Sequence, residues 1–227
     1  VAVVIIGNGK SRQHMDLNKI KEKAWTFGCN ALYRDFAPDY LLTIDSHVTH
    51  EIMDSDYSLN NKVVISNMNS LPGEVRDSME IPDGATFYEN EPTGYEFIFN
   101  GFRHHYYITW IKEKSQVLQI PSPIYGGCAG IQAIRLAHIY YPKETKYLIG
   151  FDIFNERNNM YDGSNGYPSK GASNDMKDEF VLGFEYLLNI YDDIVIKRVI
   201  DQDQSLENIP NVSEDELWQN LATNQKI

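Results

Sequence analysis

The chain has 227 residues, 42% of them hydrophobic, which suffices for one generous domain with a real core. Its formal net charge is -12, and an acidic surface repels phosphate backbones, so a whole-protein nucleic-acid footprint is disfavoured although a local basic pocket is not. No apolar run reaches membrane-crossing length, the first residues lack the basic flank of a signal peptide, and Cys29 and Cys128 match no metal or redox spacing, so the expected setting is a reducing cytoplasm.

In chain order, Val1 to Ile6 is a continuous apolar, β-branched run of the kind that suits a strand buried on both faces. Gly7-Asn8-Gly9 ends it, and Asp16 to Lys23 reads as a short helix. Strand-like runs follow at Ala24 to Cys29, Tyr40 to Ile44 and Val63 to Ile65, with a helical turn at Ala31 to Asp35 and a helix at His47 to Met53. From Asn67 to Asn100 the chain is rich in Pro and Gly and reads as irregular, with one short strand at Ala85 to Tyr88. Gly101 to Ser115, rich in aromatics, reads as helical. Cys128 to Tyr140 is a long helix stopped by Pro142, Lys146 to Gly150 a strand, and Asn155 to Asp175 a polar loop. Lys177 to Ile190 reads as an amphipathic helix and Ile194 to Ile200 as a last strand. Ser213 caps a short C-terminal helix with an acidic first turn.

Strands alternating with helices predict an α/β fold: a Rossmann-like, doubly wound, mostly parallel sheet. In this reading residues 1–200 form a single nucleotide-binding domain, with 67–115 a lid-like insertion and 201–227 a C-terminal extension. Ligands of such sheets bind beyond the carboxyl ends of the strands, where strand order reverses. The polar clusters expected there are Gly7 to Ser11, Asn30, Asp45 to His47, and Asp152.

Each cluster has more than one reading. Gly7, Asn8 and Gly9 let a ligand approach the backbone, and Lys10 and Ser11 add a charge and a hydroxyl for phosphate; the alternative is a plain strand-to-helix turn. The spacing is neither a Walker A loop nor a full dinucleotide fingerprint. Asn30 either reads a base or ribose, or caps the turn after it. Asp45 holds Mg²⁺ at a diphosphate, acts as a base, or caps a helix. Gly126 and Gly127 are a second close-approach point or a tight helix–sheet contact. Asp152 faces the same cleft or bonds loop amides. His104 and His105 are acid–base candidates or packed or surface side chains.

Four segments carry a resemblance over roughly residues 1 to 165: Val4-Ile5-Ile6-Gly7-Asn8-Gly9-Lys10-Ser11, Phe27-Gly28-Cys29-Asn30, Gly126-Gly127 with its helix, and Tyr147-Leu148-Ile149-Gly150-Phe151-Asp152. As an ordered set they resemble the 6-hydroxymethylpterin pyrophosphokinase-like (MptE-like) domain and the small bacterial CMP-sialic-acid-dependent sialyltransferases. Pro38 to Asp45 looks more like the first group, and Cys29 to Tyr33 more like the second. The sialyltransferase resemblance implies nucleotide contacts at Asn8 and Asn30 and a tyrosine pair assisting the leaving phosphate. Phe154 stands at the first tyrosine position here, and Tyr161 is offered at the second. The histidine base and the arginine of that family have no match, since no histidine follows His138. The expected function is group transfer from a nucleotide-type ligand, foremost a sugar from a nucleotide-activated donor, with Asp45, Asp152 and Tyr161 as catalytic candidates. One alternative is ATP-dependent diphosphate transfer with Mg²⁺, in which Lys10 and Arg12 supply positive charge. The other is a nucleotide-ligand-binding protein without chemistry.

Overall fold

The computed structural model describes residues 1–55, 57, 61–65, 86–90, 94–99, 102–105, 108–110, 122–123, 128–154, 159–169, 177–201, 204–223 and 226, with backbone alone over 86–123. The chain divides into two compact units, residues 1–39 with 127–227, and residues 40–126.

In the first unit the apolar opening run becomes β1 (Ala2–Ile6), every residue of it buried. β1 lies between β2 (Ala24–Cys29) and β10 (Lys146–Ile149), parallel to both. β11 (Ile196–Val199) and β12 (Asn211–Val212) extend the parallel sheet beyond β10. The order β2-β1-β10-β11-β12 puts the reversal of strand order between β1 and β10. α1 (Leu17–Lys23) packs on β2 and against α5 (Glu214–Thr223). α3 (Ala129–Tyr140) packs on β1, β2 and β10 and against α4 (Lys177–Ile190). This is the Rossmann-like α/β arrangement that the alternation of elements predicts.

Local chemistry sets the ends of these elements. Asp16 caps α1 by accepting from the Lys19 amide at 3.2 Å, and Ser213 caps α5 by accepting from the Glu216 amide at 3.2 Å. At the C-terminal end of α3, the fully buried Lys146 donates to the carbonyls of Tyr141 (2.8 Å) and Pro142 (3.2 Å) and meets His138 Nδ1 at 3.1 Å. Burial pushes the Lys146 ammonium down to about 8. The C-terminal residues are built into the unit: β12 pairs with β11, and α5 buries Leu217 and Leu221.

In the second unit β3 (Tyr40–Thr43) and β4 (Val63–Ile65) are parallel, and α2 (Ser46–Asp54) follows β3. β8 (Ile108–Trp110) runs antiparallel to β4. A separate antiparallel sheet is made of β5 (Thr86–Asn90), β6 (Gly94–Phe99), β7 (Phe102–His105) and β9 (Ser122–Pro123), in that spatial order. The structure corrects two expectations in this unit. Residues 94–99, read as irregular, pair with β5 as a hairpin, Thr86 opposite Ile98. The stretch read as a helix over Gly101 to Ser115 contains β7 and β8 instead. Aromatic and β-branched residues favour the pleated sheet over the helix, and Phe102, Ile108, Thr109 and Trp110 follow that preference.

Candidate functional site

The loops leaving β1 and β10 are tied to each other at the reversal point. The Gly7 amide donates to the Ile149 carbonyl at 2.8 Å, and the Gly9 amide to the Gly150 carbonyl at 2.9 Å. The Ser11 amide donates to Asp152 Oδ2 at 3.0 Å. A Cβ on Gly7 would stand 2.5 Å from the Gly150 oxygen, and one on Gly9 2.5 Å from Asp152 Cγ. These glycines therefore serve the approach of one strand end to the other, and all three amides are taken up within the protein. Lys10–Arg12 forms a single 3-10 turn, with Lys10 partly exposed.

What stays open at this edge is a set of side-chain atoms. Asn8 Oδ1, Ser11 Oγ, Asp152 Oδ1 and Arg198 Nη1 are buried and have no hydrogen-bond partner among the described residues. Buried polar groups in native proteins are nearly always satisfied, so such a group of orphans marks a place for water or a ligand. Asn8 is oriented by its other end: Nδ2 donates to the Cys29 carbonyl (3.3 Å) and the Tyr167 hydroxyl (3.4 Å). Arg198, on β11, is 1% exposed; its Nε donates to Asn211 Oδ1 at 3.0 Å and its Nη2 to the Gln204 carbonyl at 2.6 Å. Its guanidinium lies 5.0 Å from the centre of the Phe154 ring. Burial lowers the Arg198 pKa, and the charge of Asp152 offsets part of that effect.

The segment 159–168 lies over the loops that follow β1 and β2. The Met160 amide donates to the Asn8 carbonyl at 2.8 Å, and Gly9 and Asn159 form an isolated antiparallel bridge. Arg34 donates to Ser164 Oγ and the Asn165 carbonyl, each at 2.8 Å, and stands near the rings of Tyr161 and Tyr167. The Tyr161 hydroxyl donates to Asp35 Oδ1 and accepts from Arg12 Nη2. Arg12 is itself buried, with Nε donating to the Gly7 carbonyl at 2.7 Å, so its charge is turned into the protein. Burial and the Asp35 carboxylate both push the Tyr161 phenol up from its ordinary value, so it holds its proton firmly. Asn30 opens the 3-10 turn Asn30–Arg34 with φ 49°, the left-handed region that Asn tolerates better than most residues.

The structure thus brings Gly7, Asn8, Gly9, Ser11, Asp152 and Tyr161 to one edge of the first unit, with Asn30 at the end of the adjoining β2. Asp45 belongs to the second unit, where it is exposed at the head of α2 and its carbonyl accepts from the Thr49 amide at 2.9 Å. Gly126 and Gly127 lie outside the described residues. His104 and His105 are on β7, described by backbone alone. No group of three or more His, Cys, Asp or Glu that could hold a metal ion occurs among the described residues, and none of their helices is long and apolar enough to cross a membrane.

Sequence reasoning missed Arg198, Arg34, Asp35 and Tyr167. Arg198 did leave a signal: it occupies the same strand face as Ile196 in an apolar run, where a charge is expected only if it has work to do. Comparison with protein-family models, with curated proteins and with solved structures finds no match for this chain.

Proposed function

We propose that the protein binds a nucleotide-type ligand at the carboxyl edge of β1 and β10 and transfers a group from it, foremost a sugar. The observation that carries this reading is the trio of buried atoms Asn8 Oδ1, Ser11 Oγ and Asp152 Oδ1, unpartnered among the described residues, at the reversal point of a Rossmann-like sheet. The resemblance to nucleotide-dependent transferases points the same way.

In this scheme Asn8 is held by Cys29 and Tyr167 and presents Oδ1 to a donor group of the nucleoside. Ser11 Oγ is able both to donate and to accept. Asp152, fixed at Oδ2 by the Ser11 amide, uses Oδ1 as general base. The acceptor hydroxyl gives its proton to Asp152, its oxygen bonds to the anomeric carbon, and the bond from that carbon to the nucleotide phosphate breaks with its electrons on phosphate. Tyr161 is a positioning residue in this arrangement, because its proton is committed to Asp35.

Thermal melts with CMP-, UDP- and GDP-sugars and with ATP, each with and without Mg²⁺, test the reading, because a ligand that binds the native state raises the melting temperature. A rise with a nucleotide sugar, lost in Asn8→Ala, is expected. A rise confined to ATP with Mg²⁺ would move the assignment to diphosphate transfer. No rise with any of them would overturn it. Asp152→Asn should keep the fold and ligand binding while turnover falls about 100-fold or more, the scale of a lost general base.

A further inference from the structure

A guanidinium in a protein interior keeps its charge, and buried charges are paired or bound to a counter-ion because desolvating them alone is costly. Arg198 departs from that rule. It is 1% exposed, and both of its hydrogen bonds go to neutral oxygens, those of Asn211 and Gln204. Among the described residues it forms no ion pair, and Nη1 has no partner. Asp152 is near enough to act on it electrostatically but makes no hydrogen bond with it. Two cations stand by the Phe154 ring, Arg198 at 5.0 Å and Lys177 at 5.6 Å from its centre. The neighbourhood therefore holds two positive groups, one unsatisfied donor, and the unsatisfied acceptor Asp152 Oδ1.

We infer that Arg198 is the anchor of a phosphate subsite at the carboxyl ends of β10 and β11, taking the phosphate of a small hydroxyl-bearing phosphate ester. An anionic oxygen of the phosphate accepts from Arg198 Nη1, and a hydroxyl of the same molecule donates to Asp152 Oδ1, the place of the acceptor hydroxyl in the scheme above. Lys177, at the start of α4 and exposed, adds long-range attraction. The phosphate subsite stands without the nucleotide reading; the role of its ester as acceptor rests on that reading.

The test uses the full chain with inorganic phosphate as the probe, at constant ionic strength set with chloride. Phosphate should raise the melting temperature above the chloride control. It should also shift the side-chain Nε–H resonance of Arg198, which the bond to Asn211 holds in place. Arg198→Lys keeps the charge and loses the fork, and should weaken phosphate binding about tenfold or more, in line with a lost charge-assisted hydrogen bond. If that variant does not fold, Lys177→Ala at the exposed start of α4 should still weaken phosphate binding a few-fold. An unshifted Arg198 resonance and a melt identical to the chloride control would overturn the inference and leave water as the occupant. A nucleoside lacking phosphate separates the two readings. If it binds while phosphate does not, the nucleotide reading stands and the subsite fails. If phosphate binds through Arg198 and no nucleoside or nucleotide does better, the reverse holds.

Discussion

At the scale of single residues, backbone conformation and side-chain chemistry can be separated at Asn30. Its φ of 49° costs an ordinary L-residue about 1 kcal/mol or more, so Asn30→Ala should lower stability by about 1 kcal/mol in urea unfolding. Asn30→Gly, free of that strain, should stay close to wild type in stability. If the Asn30 amide reads the nucleoside, both variants lose ligand affinity alike. Asn8, Asn30 and Asp152 were visible in the sequence as polar residues placed just after strands. That the amides of Gly7 and Gly9 are taken up by the end of β10 was not, because that partner is far away along the chain. Nor was the hydrogen bond that the Tyr161 hydroxyl donates to Asp35, a pairing set by how the segment 159–168 lies on the first unit.

At the scale of elements, the junction of α3 and β10 makes the clearest pH-dependent prediction. Lys146 titrates at about 8 in the folded protein against an ordinary value of 10.5, because burial disfavours its charged form. Between those values the unfolded chain binds more protons than the folded one, so this group makes stability rise with pH. Below about 8 both states are protonated and the contribution no longer changes. Urea titrations from about pH 8 to about pH 9.5, in which the tyrosines contribute alike to both proteins, should show wild-type stability climbing relative to Lys146→Met. Parallel slopes for the two proteins would contradict the assignment. Elements with a continuous apolar run or a helical period were legible from sequence, as β1, α3 and α4 show. The strands within 94–110 were not, because aromatic side chains serve either a helix or a sheet and only pairing across the sheet decides between them.

At the scale of the whole molecule, the C-terminal residues are part of the first unit's frame. α5 packs on α1, Lys226 pairs with Asp39 at 2.7 Å and sits 4.3 Å from the centre of the Trp25 ring, and Leu217 and Leu221 are buried. Burying a leucine stabilises by roughly 1.5–3 kcal/mol, so removing residues 213–227 should cost about 3–6 kcal/mol from those two side chains alone. Against the usual margin of about 5–15 kcal/mol, that loss should bring the urea midpoint down sharply or leave the chain unfolded. A truncated chain with an unchanged midpoint would show that α5 contributes no such burial.

The close approach of the β1 and β10 ends also limits how the protein can change over generations. A Cβ on Gly7 meets the Gly150 oxygen at 2.5 Å, and a Cβ on Gly150, whose φ is +70°, meets the Gly7 oxygen at 2.8 Å. Each obstacle is main chain, which every residue type shares. A replacement at one position therefore has no remedy in a replacement at the other, and the usual route of paired, compensating substitutions is closed. A library randomised at both positions together should return glycine at each as if the two had been selected separately.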